Sequence, residues 1–281
     1  MKDIPVPTLA LSPTGLPRGS LHPSFSQNPS NLDHSPAPQS AKLQVIWAKH
    51  LDQVRQAQKL RHDIFAGEMG ASLATPIAGY DVDRFDDFCE HLLVLDQTTG
   101  DVVGTYRLLT PAQAIRAGGL YTETEFDISS LHAMRSQMVE LGRSCVHADF
   151  RGGGVIMALW GALMQFMVNN RLGCMIGCAS IPLLYNGRIG GDVASSIWAK
   201  VSQTQGIDPA FAVTAHTPLP VDQFDQSLDV EPPALIKGYL RLGARVLGAP
   251  AWDPDFNTAD LPMLMRIQDL PSRYRKHFLS H

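Results

Sequence analysis

A glutamate and an arginine, Glu140 and Arg143, interrupt an otherwise apolar run from Met138 to Val146, and this run leads shortly into Arg151-Gly152-Gly153-Gly154. Ile156, Leu159, Trp160, Leu163 and Met167 follow at spacings of three and four, the pattern of a helix. Strand, glycine loop and helix start together can cradle an anion. Glycines let the backbone approach a phosphate, and unpaired N–H groups at a helix N-terminus point at it. Arg151 would add a charged contact to the N–H groups of Gly152, Gly153 and Gly154. A carboxylate buried in an apolar strand has its pKa pushed toward neutrality, which suits Glu140 to act as a base, a structural pair with Arg143 or Arg107 being the alternative. The glycines also suit a plain strand-to-helix turn. They match neither the phosphate-binding Gly-Lys-Ser/Thr loop nor the GxGxxG dinucleotide fingerprint.

Strict alternation places Glu140 and Arg143 on opposite faces of a strand. A bulge between Leu141 and Ser144 would restore both to one face, so a bulge is predicted there. Asp81, Asp83 and Asp86 cluster within Asp81-Val82-Asp83-Arg84-Phe85-Asp86-Asp87, whose spacing is not that of a calcium loop. Arg61 and Phe65 lie one helical turn apart. His91 and His147 fall at strand edges and read as core or capping residues, with His147 the reserve candidate for a base. Tyr185 is a candidate proton donor to a leaving group. Cys89, Cys145, Cys174 and Cys178 have no paired CxxC spacing and read as free thiols, Cys174 and Cys178 buried in an apolar strand, so no metal is expected.

The elements that must position these groups follow from periodicity. A strand at Leu43–Trp47 precedes a helix with Val54, Ala57, Leu60 and Ile64 on one face. A hairpin follows, His91–Leu95 and Val102–Leu109 joined through Asp96–Gly100. The connection 111–135 reads as irregular or helical. Strands are predicted at Cys174–Ala179, near Phe211–Ala215 and near Met263–Ile267, and helices at about Val193–Val201 and from Pro233 toward Gly243. This order predicts an α/β fold, a mixed central sheet flanked by helices. Residues 1–41 are rich in proline and serine without apolar periodicity and read as a disordered tail, leaving one domain over 42–281.

The chain has 281 residues and a net charge of −4, which gives no global field for nucleic acid. No run of about 18 apolar residues spans a membrane, and no signal pattern opens the chain, so a cytoplasmic location is expected. Arg273, Arg275 and Lys276 beside Phe278 and Leu279 are expected either to be a solvated terminus or to touch the inner membrane surface.

With these residues in place, the chain resembles two groups within the GCN5-related N-acetyltransferase superfamily. Arg61, Phe65, Asp81-x-Asp83-x-Phe85-Asp86, Gly104-x-x-Arg107 and Glu140-x-x-Arg143 are shared with acyl-homoserine lactone synthases. The ornithine lipid N-acyltransferases are more similar still. They add Glu68-Met69-Gly70-Ala71, Cys89-x-His91-Leu92-Leu93-Val94, Gly104-Thr105-Tyr106-Arg107-Leu108, Phe150-Arg151-Gly152-Gly153 and Gly177-Cys178-Ala179-Ser180. Leu235 to Ala244 and Asp253-Pro254-Asp255-Phe256 extend the match into a C-terminal extension from about residue 226. One departure is Ile156, where the superfamily's loop Arg/Gln-x-x-Gly-x-Gly/Ala ends in a small residue, and this suits a single-phosphate carrier-protein donor better than coenzyme A.

The resemblance implies transfer of a fatty acyl group, 3-hydroxylated, from acyl carrier protein to the α-amine of ornithine, the first step of ornithine lipid synthesis. Acyl carrier protein is then partner and co-substrate, and no tightly bound cofactor is expected. Glu140 and Arg143 would be catalytic, with Arg61, Phe65, Asp81, Asp83, Asp86 and Arg107 binding the acceptor. Val146, Arg151, Gly152, Gly153 and Gly154 would hold the phosphopantetheine arm. A lactone synthase, another amino-acid N-acyltransferase, or a non-catalytic acyl-carrier or lipid-binding module are the alternatives.

Overall fold

The computed structural model describes residues 42–185 and 187–279. The tail predicted for residues 1–41 lies outside them. Strands β1 (Leu43–Trp47), β2 (Glu90–Asp96), β3 (Val102–Leu109), β4 (Met138–Val146), β5 (Cys174–Pro182), β6 (Arg245–Val246), β7 (Ala251–Asp253) and β8 (Thr258–Arg266) form an eight-stranded sheet. Its order is β1-β2-β3-β4-β5-β8-β6, with β7 also on β8. Every pairing is antiparallel except β4 with β5. That parallel pairing covers only Met138↔Cys174, Val139↔Met175 and Glu140↔Ile176, although each strand has nine residues. Beyond Glu140 the two strands part, and the sheet opens at its middle.

One face of the sheet packs on α3 (Gly154–Asn169), α4 (Asp192–Gln205), α5 (Ala234–Arg241) and α6 (Ser272–Leu279), through Leu159, Leu163, Ile197, Ile236 and Phe278. The other packs on α1 (Leu51–His62), whose line continues as a π-helical turn, Asp63–Glu68. Ala57, Leu60, Ile64 and Phe65 meet Leu93, Cys145 and Phe256 there. Burying apolar stripes of this size on both faces is what holds the open sheet between its helices.

The strand predicted near Phe211–Ala215 is reduced to Thr214–Ala215. It pairs with Phe126–Asp127 off the central sheet, because the preceding residues follow a turn. The C-terminal stretch is built into the sheet, since β8 pairs with β5 from Thr258↔Pro182 to Arg266↔Cys174. The basic terminus forms α6, anchored by buried Phe278. Among the described residues no helix is long and apolar enough to cross a membrane.

Candidate active site

The β4 bulge is where it was predicted. Thr105 pairs with Cys145 and Arg107 with Gly142, so three steps on β4 oppose two on β3. The extra residue includes Arg143, at φ 50°, a left-handed conformation uncommon outside glycine. Arg143 is fully buried, and its guanidinium is held by Asp81 (Nε to Oδ2, 2.7 Å) and Asp83 (Nη2 to Oδ2, 2.9 Å). These two carboxylates over-determine the strained backbone. Arg107 also reaches Asp83 (2.6 Å), so Arg143 turns to the Arg107 face. Glu140 lies on that face too, since it pairs with Leu109 two residues along β3.

Arg61, Arg107 and Arg143 form one buried network with Asp81, Asp83 and Asp86. Arg61 donates from Nε to Asp81 (2.9 Å) and in a two-pronged way to both oxygens of Asp86 (2.9 and 2.8 Å). Arg107 joins Asp83 to Asp86. Burial alone would raise the Asp86 carboxyl, but the Arg61 and Arg107 charges more than reverse this and hold it well below the usual range. Asp83 is lowered in the same way by Arg107 and Arg143. Arg61, Asp81 and Asp86 are at most 5 % exposed and partnered by one another, so they fix the acidic loop against α1 and β3. Phe65 is core, edge-on to Phe256. Read as acceptor-binding from sequence, these four residues lie in, or packed beside, this buried network.

Glu140 sits in a small pocket with Cys89, Arg107, Leu109, Tyr121, Leu141, Gly142 and Cys178. The segment 111–137 roofs it, and its helical turn Thr122–Glu125 is capped by the Glu140 carboxylate. The backbone N–H of Tyr121 donates to Oε2, and the N–H and hydroxyl of Thr122 donate to Oε1, each at 2.6 Å. Burial raises the Glu140 carboxyl, and these hydrogen bonds pull partly against it. With two donors on Oε1 and one on Oε2, one acceptor position remains, on Oε2. Neither Thr122 nor Tyr121 stood out in the sequence, because a turn-capping partner 18 residues upstream leaves no periodic signal.

Leu141 and Cys178 also line a second, apolar pocket, with Met175, Ala179, Tyr239, Met263 and Met265. It lies where β4 and β5 part. The three methionines and Leu141 of this wall are flexible and adapt to an alkyl chain. The polar and apolar pockets therefore adjoin through the gap in the sheet.

The glycine loop follows β4. Gly153, at φ 97°, precedes α3, and a Cβ on Gly152 or Gly153 would meet nothing within 4 Å, so the loop faces open space. Arg151 donates from Nε to the Val146 carbonyl (3.0 Å) and from Nη2 to Glu68 (2.6 Å). The first N–H groups of α3 point the same way. His91 is buried, bonded through Nε2 to the Asp86 carbonyl, and burial with the Arg61 charge lowers it to about 4, so it is a neutral core residue as expected. His147 is half-exposed and accepts from the Asp149 N–H, as a cap does. Tyr185 is exposed on a hairpin away from these pockets, which removes it as a proton donor.

The family profile described as an acetyltransferase (GNAT) domain matches residues 60–161, from Arg61's helix through the glycine loop. L-ornithine N(alpha)-acyltransferase of Rhizobium meliloti is 33% identical over 261 residues, covering 85% of this chain and 84% of the relative. The protein of that name from Rhodobacter capsulatus is 31% identical, covering 86% of this chain and 96% of its own. Among solved structures, the AHL synthase LasI superposes with a TM-score of 0.50 at 12% identity, over 86% of this chain and 96% of LasI. A CoA-dependent acyl-homoserine lactone synthase, BjaI, gives 0.50 at 18%, over 86% and 89%. These two report on the fold alone, the open mixed sheet described above. Taken with the identity over most of its length, the bulged β4 and the glycine loop make this chain a member of the L-ornithine N(alpha)-acyltransferase family.

Proposed function

We propose that the protein transfers a fatty acyl group, 3-hydroxylated, from acyl carrier protein to the α-amine of L-ornithine. The observation that carries this reading is the adjacency of two unlike pockets across the opened sheet, one polar around Glu140 and Arg107, one apolar and methionine-rich, with the glycine loop at the end of the same strand. In this reading the phosphopantetheine phosphate lies on Arg151 and the N–H groups of Gly152, Gly153 and Gly154. The arm follows the Val146 end of β4 toward the gap, and the acyl chain enters the apolar pocket.

Direct aminolysis needs a deprotonated amine and a polarised thioester carbonyl. Glu140 Oε2 has the one acceptor position left to take the ammonium proton. The bulge shifts the β3–β4 register beside Glu140, and a backbone N–H of such a bulge can stabilise the oxyanion. Arg107, on the wall of the same pocket, attracts the acceptor carboxylate. The amine then attacks the carbonyl carbon, the C–S bond breaks, and the carrier leaves as a thiol, its sulfur taking the proton that the newly bonded nitrogen sheds. The single phosphate of a carrier arm matches a loop that ends in Ile156 rather than a small residue. A cytoplasmic site, with peripheral contact through the basic α6, fits a lipid product.

The test is mass spectrometry of purified protein with 3-hydroxypalmitoyl carrier protein or 3-hydroxypalmitoyl-CoA, and ornithine, lysine, glutamine, glycine or S-adenosylmethionine in separate reactions. N-acyl-ornithine from the carrier-protein donor supports the reading. Product only with another amine or with coenzyme A corrects it, and no transfer to any amine sinks it.

A further inference from the structure

Beyond Tyr121 and Cys178, two walls of the Glu140 pocket, lies a set of acids that the reaction above does not use. Atoms of Glu125, Cys178 and Asp260 all lie within 4.8 Å of one another. Asp253 faces Thr258 across β7 and β8, on the face that also carries Asp260. The register carries this face to Glu140, through Ser180 opposite Asp260, Cys178, and Ile176 opposite Glu140. Asp260 is 0 % and Asp253 2 % exposed, and Glu125 is buried too.

Each carboxyl has one oxygen engaged. The Tyr121 hydroxyl donates to Glu125 Oε1. The N–H groups of Asp255 and Phe256 donate to Asp253 Oδ1 (3.0 and 3.1 Å), and the Thr258 hydroxyl donates to Asp260 Oδ1 (2.9 Å). The other oxygens, Glu125 Oε2, Asp253 Oδ2 and Asp260 Oδ2, lack a hydrogen bond of ordinary geometry, while the Ser180 hydroxyl and the Cys178 thiol act on the Asp260 and Glu125 carboxyls. Three buried carboxylates this close, with so few donors among them, are costly unless a proton or a cation joins them. Arg143, whose charge acts on Asp260, is already held by Asp81 and Asp83.

We propose that Glu125, Asp253 and Asp260 form the subsite for the side-chain ammonium of the acceptor, so that the protein selects a diamino acid. This rests on the reading that the Glu140 pocket receives the acceptor's α-amine. With the α-amine at Glu140 and the carboxylate toward Arg107, the acceptor's methylene chain passes Tyr121 and Cys178. Its ammonium then offers three N–H donors to these three carboxyls. In the free protein, burial and the neighbouring Asp260 raise Asp253 to about 8, and burial raises Asp260 to about 7, so the acids hold protons that an arriving ammonium displaces. A divalent metal is the poorer match. Burial and the Glu125 charge push the Cys178 thiol far up, so a metal would have to displace its proton to gain a third ligand.

The test compares ornithine with norvaline, which has the same carbon skeleton and no side-chain amine, in wild type and in Asp260→Asn, Asp253→Asn and Glu125→Gln. Wild type should prefer ornithine in kcat/KM by on the order of a hundredfold or more, and the variants should lose at least tenfold of that ratio, mainly through KM. A purely structural role lowers both substrates together and leaves the ratio unmoved, which would overturn the proposal. Titration calorimetry of wild type in two buffers gives a reading that needs neither turnover nor a folded variant. Ornithine should release more protons than norvaline, and equal release overturns the proposal. So does loss of the ornithine preference on chelation with recovery on adding zinc or magnesium. Transfer to no amine at all would instead refute the acyltransferase reading, and calorimetry would still decide whether the acids bind an ammonium.

Discussion

Leu141 and Gly177 face each other where β4 and β5 part, and a Cβ on Gly177 would overlap the Leu141 carbonyl oxygen. The gap in the sheet is therefore narrow at its root and depends on a missing side chain. Gly177→Ala must push a backbone carbonyl aside. It should cost about 1–3 kcal/mol, the range for overpacking a well-packed interior. Because Leu141 borders both pockets, acyl transfer should fall more than stability alone explains. Thermal melts beside kcat/KM for the acyl donor check this, and an alanine variant with wild-type kinetics and melting would contradict the tight root.

The arginine–aspartate network predicts a stability effect. Arg61→Met removes the partner that satisfies both Asp81 and Asp86. Arg143 still holds Asp81 and Arg107 still reaches Asp86, but three buried carboxylates then share two arginines, and a buried network left one positive charge short costs about 3–5 kcal/mol. Chemical denaturation should show this loss. A normal fold with a raised acceptor KM would show instead that Arg61 binds substrate directly.

Glu140→Gln separates a base from a cap. Glutamine keeps one carbonyl oxygen for Thr122, but its amide opposes the Tyr121 N–H, so some loss of stability is expected. As a base, Glu140 works only when ionised, and its carboxyl is raised by burial. The wild-type kcat/KM should then fall as pH drops through a value above the usual carboxylate range. The variant should lose about 10²–10⁴ in kcat, together with that acid limb. A variant that keeps the acid limb assigns the proton to another group.

Arg151→Ala should raise the KM for the acyl donor about tenfold and leave the acceptor KM in place, since Arg151 opens the glycine loop and lines no part of the Glu140 pocket. Glu68→Gln, which frees the same guanidinium from its 2.6 Å partner, should lower the donor KM. Steady-state kinetics with each substrate varied in turn checks both. Equal effects on both substrates would place Arg151 in structure alone.

What the sequence made legible follows from where its signals come from. Periodicity located the strands around Glu140 and Cys174 and the helix after the glycines, because each buries a regular stripe. The bulge was legible because Glu140 and Arg143 conflict with strict alternation. The closure of Arg61, Asp81 and Asp86 on one another was not legible, since a ligand-binding cluster and an internal ion network use the same residue types. The acid cluster was missed for a related reason. Asp260 opens the apolar run Leu261 to Met265 much as Glu140 interrupts β4, but Glu125 and Asp253 reach it only through the roof segment and the register of β7. No local spacing connects them.

That cluster also sets a pH dependence of stability. Asp253 and Asp260 have folded values of about 8 and about 7, both above the ordinary carboxylate value of 3.8. The folded state therefore holds these protons more tightly than the unfolded chain. The stability this contributes is complete below about pH 4 and is lost as pH rises toward 8. Asp83 and Asp86, whose values are lowered, act in the opposite direction, so the wild-type curve alone mixes both. The difference between wild type and Asp260→Asn isolates the cluster, because asparagine keeps the shape and cannot ionise. The variant should gain about 2–4 kcal/mol on wild type between pH 5 and pH 8, read as a Tm difference that grows with pH. Saturating ornithine should shrink that difference at pH 8, since its ammonium gives wild type the counter-charge it lacks. A Tm difference flat across this range would mean the three carboxyls are not ionising together inside the fold.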